Sequence, residues 1–182
     1  MIQAVVFDMD GVIFDSERLV IECWKKVAGE KGFTGVEDVC CICLGTNDVQ
    51  TRAKFLEVYG EDFPYDTYER EMAGLFHEKA DGGQLPKKEG VDELLTDLKE
   101  RGLMIALATS SKERTVRREI EEAGLLSYFD AIVCGDMIRR SKPEPDIYLK
   151  ACECLQVEPE NACAVEDSFN GVRSATRAGL SC

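Results

Sequence analysis

The chain carries a single histidine among 182 residues, and only 22 basic side chains against 35 acidic ones, for a formal net charge of −13. This scarcity of positive charge excludes nucleic acid and anionic membrane surfaces as partners, because the summed field of the protein repels polyanions. A small anionic substrate stays compatible with it if a metal ion and one or two local cations reverse the field inside a pocket. Long apolar runs are also missing: no stretch approaches the roughly 20 residues that cross a bilayer. With His77 alone in the chain, the CxxC spacing within Cys40-Cys41-Ile42-Cys43 lacks the further ligands that a four-coordinate zinc site requires.

Nine cysteines are present, but Met1-Ile2-Gln3 runs straight into an apolar strand with no basic and apolar leader. The expected compartment is therefore the cytoplasm, where thiols stay reduced. Cys23, Cys134, Cys152 and Cys163, in or beside apolar patterns, then act as small core residues. At 45% hydrophobic and 31% charged residues, the length suits one domain with an insertion, or two small domains. No feature of the sequence sets an oligomeric state.

The most informative segment is Ala4-Val5-Val6-Phe7 followed by Asp8-Met9-Asp10-Gly11. A short β-branched run ending in acids and a glycine reads as a buried strand opening into a loop, and open α/β sheets bind ligands at such carboxyl ends. Two carboxylates there are costly unless a cation or a reaction uses them. One could attack a phosphoryl group while the other carries a proton for the leaving oxygen. A calcium loop does not fit, since the next alternate position is Val12 rather than an acid or amide.

The spacing of Leu19, Val20, Cys23, Trp24 and Val27 predicts an amphipathic helix that starts at Asp15-Ser16 and stops at Gly32. Further helical patterns run through Val49, Ala53 and Leu56 and through Tyr68, Met72, Leu75 and Phe76. After Asp81-Gly82-Gly83 and Pro86 the texture changes. A helix through Val91 to Leu98 precedes a strand over Leu103 to Ala108; a helix through Val116, Ile120 and Ala123 precedes a strand over Ala131 to Cys134. Pro145 opens a helix to Cys154, and Ala162 to Val165 reads as another strand. The expected fold is α/β: a Rossmann-like parallel sheet over residues 1–14 and 83–182, with an all-helical cap inserted over 15–82. Such an insertion is placed to close over substrate and exclude water.

Each later strand ends in residues suited to a phosphoryl group. Thr109-Ser110-Ser111-Lys112 supplies hydroxyls and amides at a helix start, Ser141-Lys142-Pro143 aims a lysine from a stiffened loop, and Glu166-Asp167 forms a second acid pair. Together with Asp8 and Asp10, these acids make a hard oxygen site suited to magnesium.

In these motifs the chain resembles the haloacid dehalogenase superfamily of phosphohydrolases and phosphomutases, in particular its β-phosphoglucomutase-like subgroup with a helical cap. The matching residues are Asp8-Met9-Asp10-Gly11-Val12, Thr109, Lys142 in Ser-Lys-Pro, and Glu166-Asp167. The resemblance spans nearly the whole chain. It implies Asp8 as nucleophile and Asp10 as general acid/base, with Thr109, Ser110 and Lys142 on the phosphate. It also implies Mg2+ held by the Asp8 carboxylate, the Asp10 backbone carbonyl, Glu166 and Asp167. The activity it implies is magnesium-dependent hydrolysis of a small phosphorylated metabolite, such as a sugar phosphate, through an aspartyl phosphate. A β-phosphoglucomutase-type mutase is the alternative reading.

The sequence also departs from that subgroup. Val20 and Asp48 stand near positions where the mutases carry a histidine and an arginine that grip a second phosphate, which favours hydrolysis over mutase chemistry. A dehalogenase has no need of Asp10, since a leaving halide takes no proton. Phosphonate cleavage needs a desolvated cap lysine, and nothing marks Lys25, Lys26 or Lys31 as one. A phosphoacceptor signalling domain shares the acids, threonine, lysine and magnesium but has no helical insertion after its first strand. The chain stops at Gly179-Leu180-Ser181-Cys182, where the family pattern begins another strand and helix, so the last strand and helix of that pattern are expected to be missing.

Overall fold

The computed structural model describes residues 1–182. Four parallel strands, β1 (Ala4–Phe7), β2 (Met104–Ala108), β3 (Ala131–Val133) and β4 (Ala162–Val165), form one sheet in the order β3-β2-β1-β4. β1 lies in the middle, with Ala4 paired to Met104 on one side and Ala162 on the other. Its four residues are all buried, as a central parallel strand covered on both faces requires.

Alternation along the strands gives the two faces different characters. Val5, Phe7, Ile105 and Leu107 share one core with Leu95 of α5 (Val91–Glu100) and with Val116 and Ile120 of α6 (Glu113–Glu122). Ala4, Val6, Ala106, Ala108 and Ala164 make the other face, and their small side chains give α7 (Asp146–Leu155) and α8 (Phe169–Ala178) a close seat.

Between β1 and α5 the chain makes four helices: α1 (Ser16–Lys31), α2 (Val36–Ile42), α3 (Asp48–Tyr59) and α4 (Tyr65–Ala80). Gly32 ends α1 in the left-handed conformation, φ 77°, and Asn47 opens α3 with a reciprocal capping box to Gln50. The helices enclose their own cluster around Trp24, Val27, Val39, Phe55 and Tyr65, with the Trp24 and Phe55 rings 4.5 Å apart. The opposite side of α1, through Leu19 and Cys23, joins the sheet core, so one helix belongs to both layers. No helix is long and apolar enough to cross a membrane.

The parallel sheet and the helical cap agree with the sequence reading, while two helices escape it. α2 has seven residues and no polar N-cap side chain, so its pattern is too short to stand out. α8 buries small residues, Gly171, Ser174, Ala175 and Ala178, instead of a stripe of large apolar ones. Beyond α8, Ser181 bridges Cys163 in parallel, on the β4 edge away from β1.

One carboxylate breaks the apolar face of α6. Glu119 is 7% exposed and makes no side-chain hydrogen bond; its closest cation is Arg118 Nη2 at 3.7 Å. Burial, together with the charge of Asp10, pushes its pKa up to about 7, with Arg118 opposing and Asp81 and Glu122 adding to the rise. Between pH 4.5 and 7 the folded chain then holds a proton that the unfolded chain has released, so stability falls as pH rises through this window. Glu119→Gln is expected to flatten that fall and to raise stability at pH 8, by at most about 3 kcal/mol on a shift from 4.5 to about 7. Urea unfolding of both proteins at pH 5 and pH 8 measures this; an equal loss of stability in the two would refute it.

Candidate active site

The carboxyl ends of the strands converge on one buried charge cluster. Lys142, 1% exposed, reaches from the loop before α7 and donates to Asp8 Oδ1 at 2.8 Å and to Glu166 Oε1. Tyr148, one turn into α7, donates its hydroxyl to the same Glu166 oxygen at 2.6 Å, and its ring lies 5.4 Å from the ammonium. The other Glu166 oxygen accepts from Ser168 Oγ at 3.2 Å, and Ser168 Oγ in turn caps α8 by accepting from Gly171 N at 3.0 Å. A Cβ on Gly171 would collide with the Glu166 carboxylate, so the first turn of α8 tolerates only glycine there.

Burial pushes the Asp8 pKa up to about 7; Lys142 pulls it back, while Glu166 and Asp10 add to the rise. Burial alone would lower the Lys142 pKa, but the two carboxylates outweigh it and hold the amine charged. Burial, then Glu166, drives the Tyr148 hydroxyl far above its ordinary value, so it stays a donor.

Carboxylate oxygens of Asp8, Glu166 and Asp167 lie within 4.8 Å of one another. Three hard oxygen donors on rigid strand ends fit Mg2+, which takes a few carboxylates and keeps positions for water and substrate oxygens. Gly11, at φ 78°, keeps the β1 loop clear: a Cβ there would strike the Asp167 carboxylate. Glu17 at the start of α1 borders this group, and burial and the neighbouring Asp167 push its pKa up to about 8.

The Asp10 carboxylate stands apart from that trio. It accepts from Ser16 Oγ at 2.6 Å and Ser111 Oγ at 3.1 Å, one hydroxyl from the cap side and one from the β2 loop. Asp8, Asp10, Ser16, Ser110 and Ser111 all border one cavity of about 250 Å³, whose far wall is built by Trp24, Phe55 and other cap residues. Ser110 Oγ is buried without a hydrogen-bond partner. An unpaired hydroxyl in a lined cavity is a donor awaiting a ligand oxygen. Thr109 is fully buried and accepts from Ser111 N at 3.1 Å, which shapes the loop that presents Ser110.

The seven residues singled out in the sequence thus gather at one end of the sheet, with Thr109 set back below the cavity floor. Sequence reasoning gave no site role to Tyr148, Ser16, Glu17 or Ser168, and offered Ser111 only as one of the hydroxyls at a helix start. Ser168 adjoins a quoted motif. Tyr148 read only as an apolar position of α7, and nothing in the chain announced that its hydroxyl would find Glu166.

The chain matches the haloacid dehalogenase-like hydrolase family over residues 5–182. It is 34% identical to the phosphorylated carbohydrates phosphatase of Thermotoga maritima, over 98% of this chain and 82% of that protein. It is 28% identical to the beta-phosphoglucomutase of Bacillus subtilis, over 98% of this chain and 80% of that protein. A CbbY variant of Rhodobacter sphaeroides, solved with xylulose-1,5-bisphosphate, superposes with a TM-score of 0.79 at 30% identity, over all of this chain and 85% of that one. With the fold, the acid cluster and these relatives in agreement, the chain belongs to the haloacid dehalogenase-like hydrolases and is a phosphatase of that family.

Proposed function

We propose that the protein is a cytoplasmic, magnesium-dependent phosphomonoesterase working through an aspartyl phosphate, with residues 15–82 as the cap and a small phosphorylated carbohydrate as substrate. The supporting observation is the meeting of Asp8, Glu166 and Asp167 carboxylate oxygens within 4.8 Å of one another, with Asp8 also bordering the cavity that holds Asp10. The Thermotoga relative, named for phosphorylated carbohydrates, points to the same substrate class.

Asp8 is the nucleophile. Lys142 engages Oδ1, which leaves Oδ2 to attack phosphorus, and its charge opposes the upward push of burial on the carboxylate's pKa. Asp8, Glu166, Asp167 and the Asp10 backbone carbonyl would hold Mg2+, which would supply Lewis-acid neutralisation of a phosphate oxygen. Ser110 donates to another phosphate oxygen, Thr109 sets the loop, and Lys142 screens the carboxylates from the incoming anion. Asp10, steered by Ser16 and Ser111, protonates the leaving alcohol as the ester P–O bond breaks. It then takes a proton from the water that attacks the Asp8 acyl phosphate, releasing inorganic phosphate.

Val20 and Asp48 both border the cavity. An apolar and an acidic side chain cannot grip a second phosphate, so an intermediate with two phosphates has no anchor and hydrolysis prevails over phosphoryl return.

Asp8→Asn should reduce phosphate release from p-nitrophenyl phosphate by at least about 10⁴-fold, and chelation of the metal should stop the wild-type enzyme. Wild-type turnover by either would end the reading. Tyr148→Phe removes one donor behind Glu166 and should raise the Mg2+ concentration for half-maximal rate by about tenfold while leaving the fold intact. Titrating activity against Mg2+ reads this directly. With β-glucose 1-phosphate, phosphate and glucose should accumulate; glucose 6-phosphate as the main product would favour the mutase.

A further inference from the structure

A second cavity of about 480 Å³ continues the first: Val20, Asn47, Asp48, Ser110 and Ser111 border both. An ester with its phosphorus at Asp8 therefore has room for its leaving group to extend from the first cavity into this space, between α4 of the cap and α6 of the core. The walls are acidic and apolar. Glu69 comes from α4 and Glu119 from α6, while Met72, Ala73 and Phe76 supply the apolar surface.

The basic side chains nearest those acids are already committed. Lys112 holds Asp48 at 2.8 Å, and His77 faces Asp81 at 3.2 Å. No arginine borders either cavity. Asp136 is occupied as well, accepting from the Glu113 backbone N–H at 3.1 Å. Glu69 has no ion pair or hydrogen bond, and Glu119, more than nine-tenths buried, has no hydrogen bond and only the distant Arg118, which itself leans to Asp81 at 3.4 Å. A carboxylate so buried, turned to a cavity and without a donor, is costly unless a ligand supplies one. The side chains that converge closely enough to share a metal ion are Asp8, Glu166 and Asp167, and neither Glu69 nor Glu119 joins them. An organic cation fits the remaining space better than a second metal ion.

We propose that this cleft selects phosphate esters whose alcohol carries an ammonium group, received by Glu119 and Glu69 while the apolar wall covers the carbon skeleton. The inference rests on the phosphomonoesterase reading and narrows its substrate class. The ammonium makes and breaks no bond; it positions the ester, while the P–O bond still breaks toward the alcohol that Asp10 protonates.

Two matched series test it at neutral pH: 2-aminoethyl, 2-hydroxyethyl and carboxymethyl phosphate, and glucosamine 6-phosphate, glucose 6-phosphate and 6-phosphogluconate. In at least one series the amine should exceed the hydroxyl compound by about tenfold in kcat/KM, with the carboxylate lowest. In that series Glu119→Gln and Glu69→Gln should each pull the amine-to-hydroxyl ratio toward one. An amine no better than its hydroxyl partner in both series, or a preference that survives both substitutions, overturns the proposal. p-Nitrophenyl phosphate, which has no amine, separates the two levels: Asp8-dependent release of phosphate from it upholds the phosphatase reading whatever the series show, and its absence removes that reading too.

Discussion

Everything at the active end of the sheet depends on one buried cation. Lys142 stands between Asp8 and Glu166 with almost no exposure to solvent, and each of the three charges would be costly alone. Removing one partner from such a cluster costs about 3–5 kcal/mol, because the remaining charges are left uncompensated in a medium that solvates them poorly. The arrangement is therefore maintained only if the three loops that supply it arrive in register. Parallel pairing of β1 with β4 provides that for Asp8 and Glu166, since Phe7 and Val165 are partners and the acids follow directly. The lysine comes from outside the sheet plane and is held by Tyr148 beneath it. A fold that stores unfavourable charge in this way keeps the Asp8 carboxylate beside a compensating cation at the edge of the cavity.

The sheet and most helices were legible because their residues obey simple periods. β1 is apolar throughout, as a central strand must be, and α1 repeats its apolar residues at helical spacing on both the sheet side and the cap side. The site was legible through polar residues at strand ends, where burial makes an acid or lysine costly without a purpose. What escaped was the support behind them. Ser16 and Ser111 are ordinary helix-start residues until the fold brings each within reach of Asp10, 6 and 101 positions away in sequence. Tyr148 is equally silent, since an aromatic on a buried helix face is explained by packing alone. Helix α8 escaped for a different reason: it packs through glycine, serine and alanine to sit close to Glu166, and closeness leaves no hydrophobic pattern.

The cap and the charge cluster are physically joined. Asn47, which caps α3, also donates its amide to Ser141 Oγ at 2.7 Å, one residue before Lys142. Asp48 follows at once and pairs with Lys112, at the start of α6. Gly45 completes the seam, since a Cβ there would run into Ser168, the residue that steadies Glu166. Three consecutive contacts of one cap loop thus land on the lysine loop, the β2 loop and the β4 loop. A displacement of the cap that breaks them exposes the cavity and, through Ser16, also loosens the grip on Asp10. In the proposed mechanism, binding energy from a leaving group held between cap and core is realised where Asp10 moves the proton, so that contacts remote from phosphorus raise the rate of the chemical step and not merely the affinity.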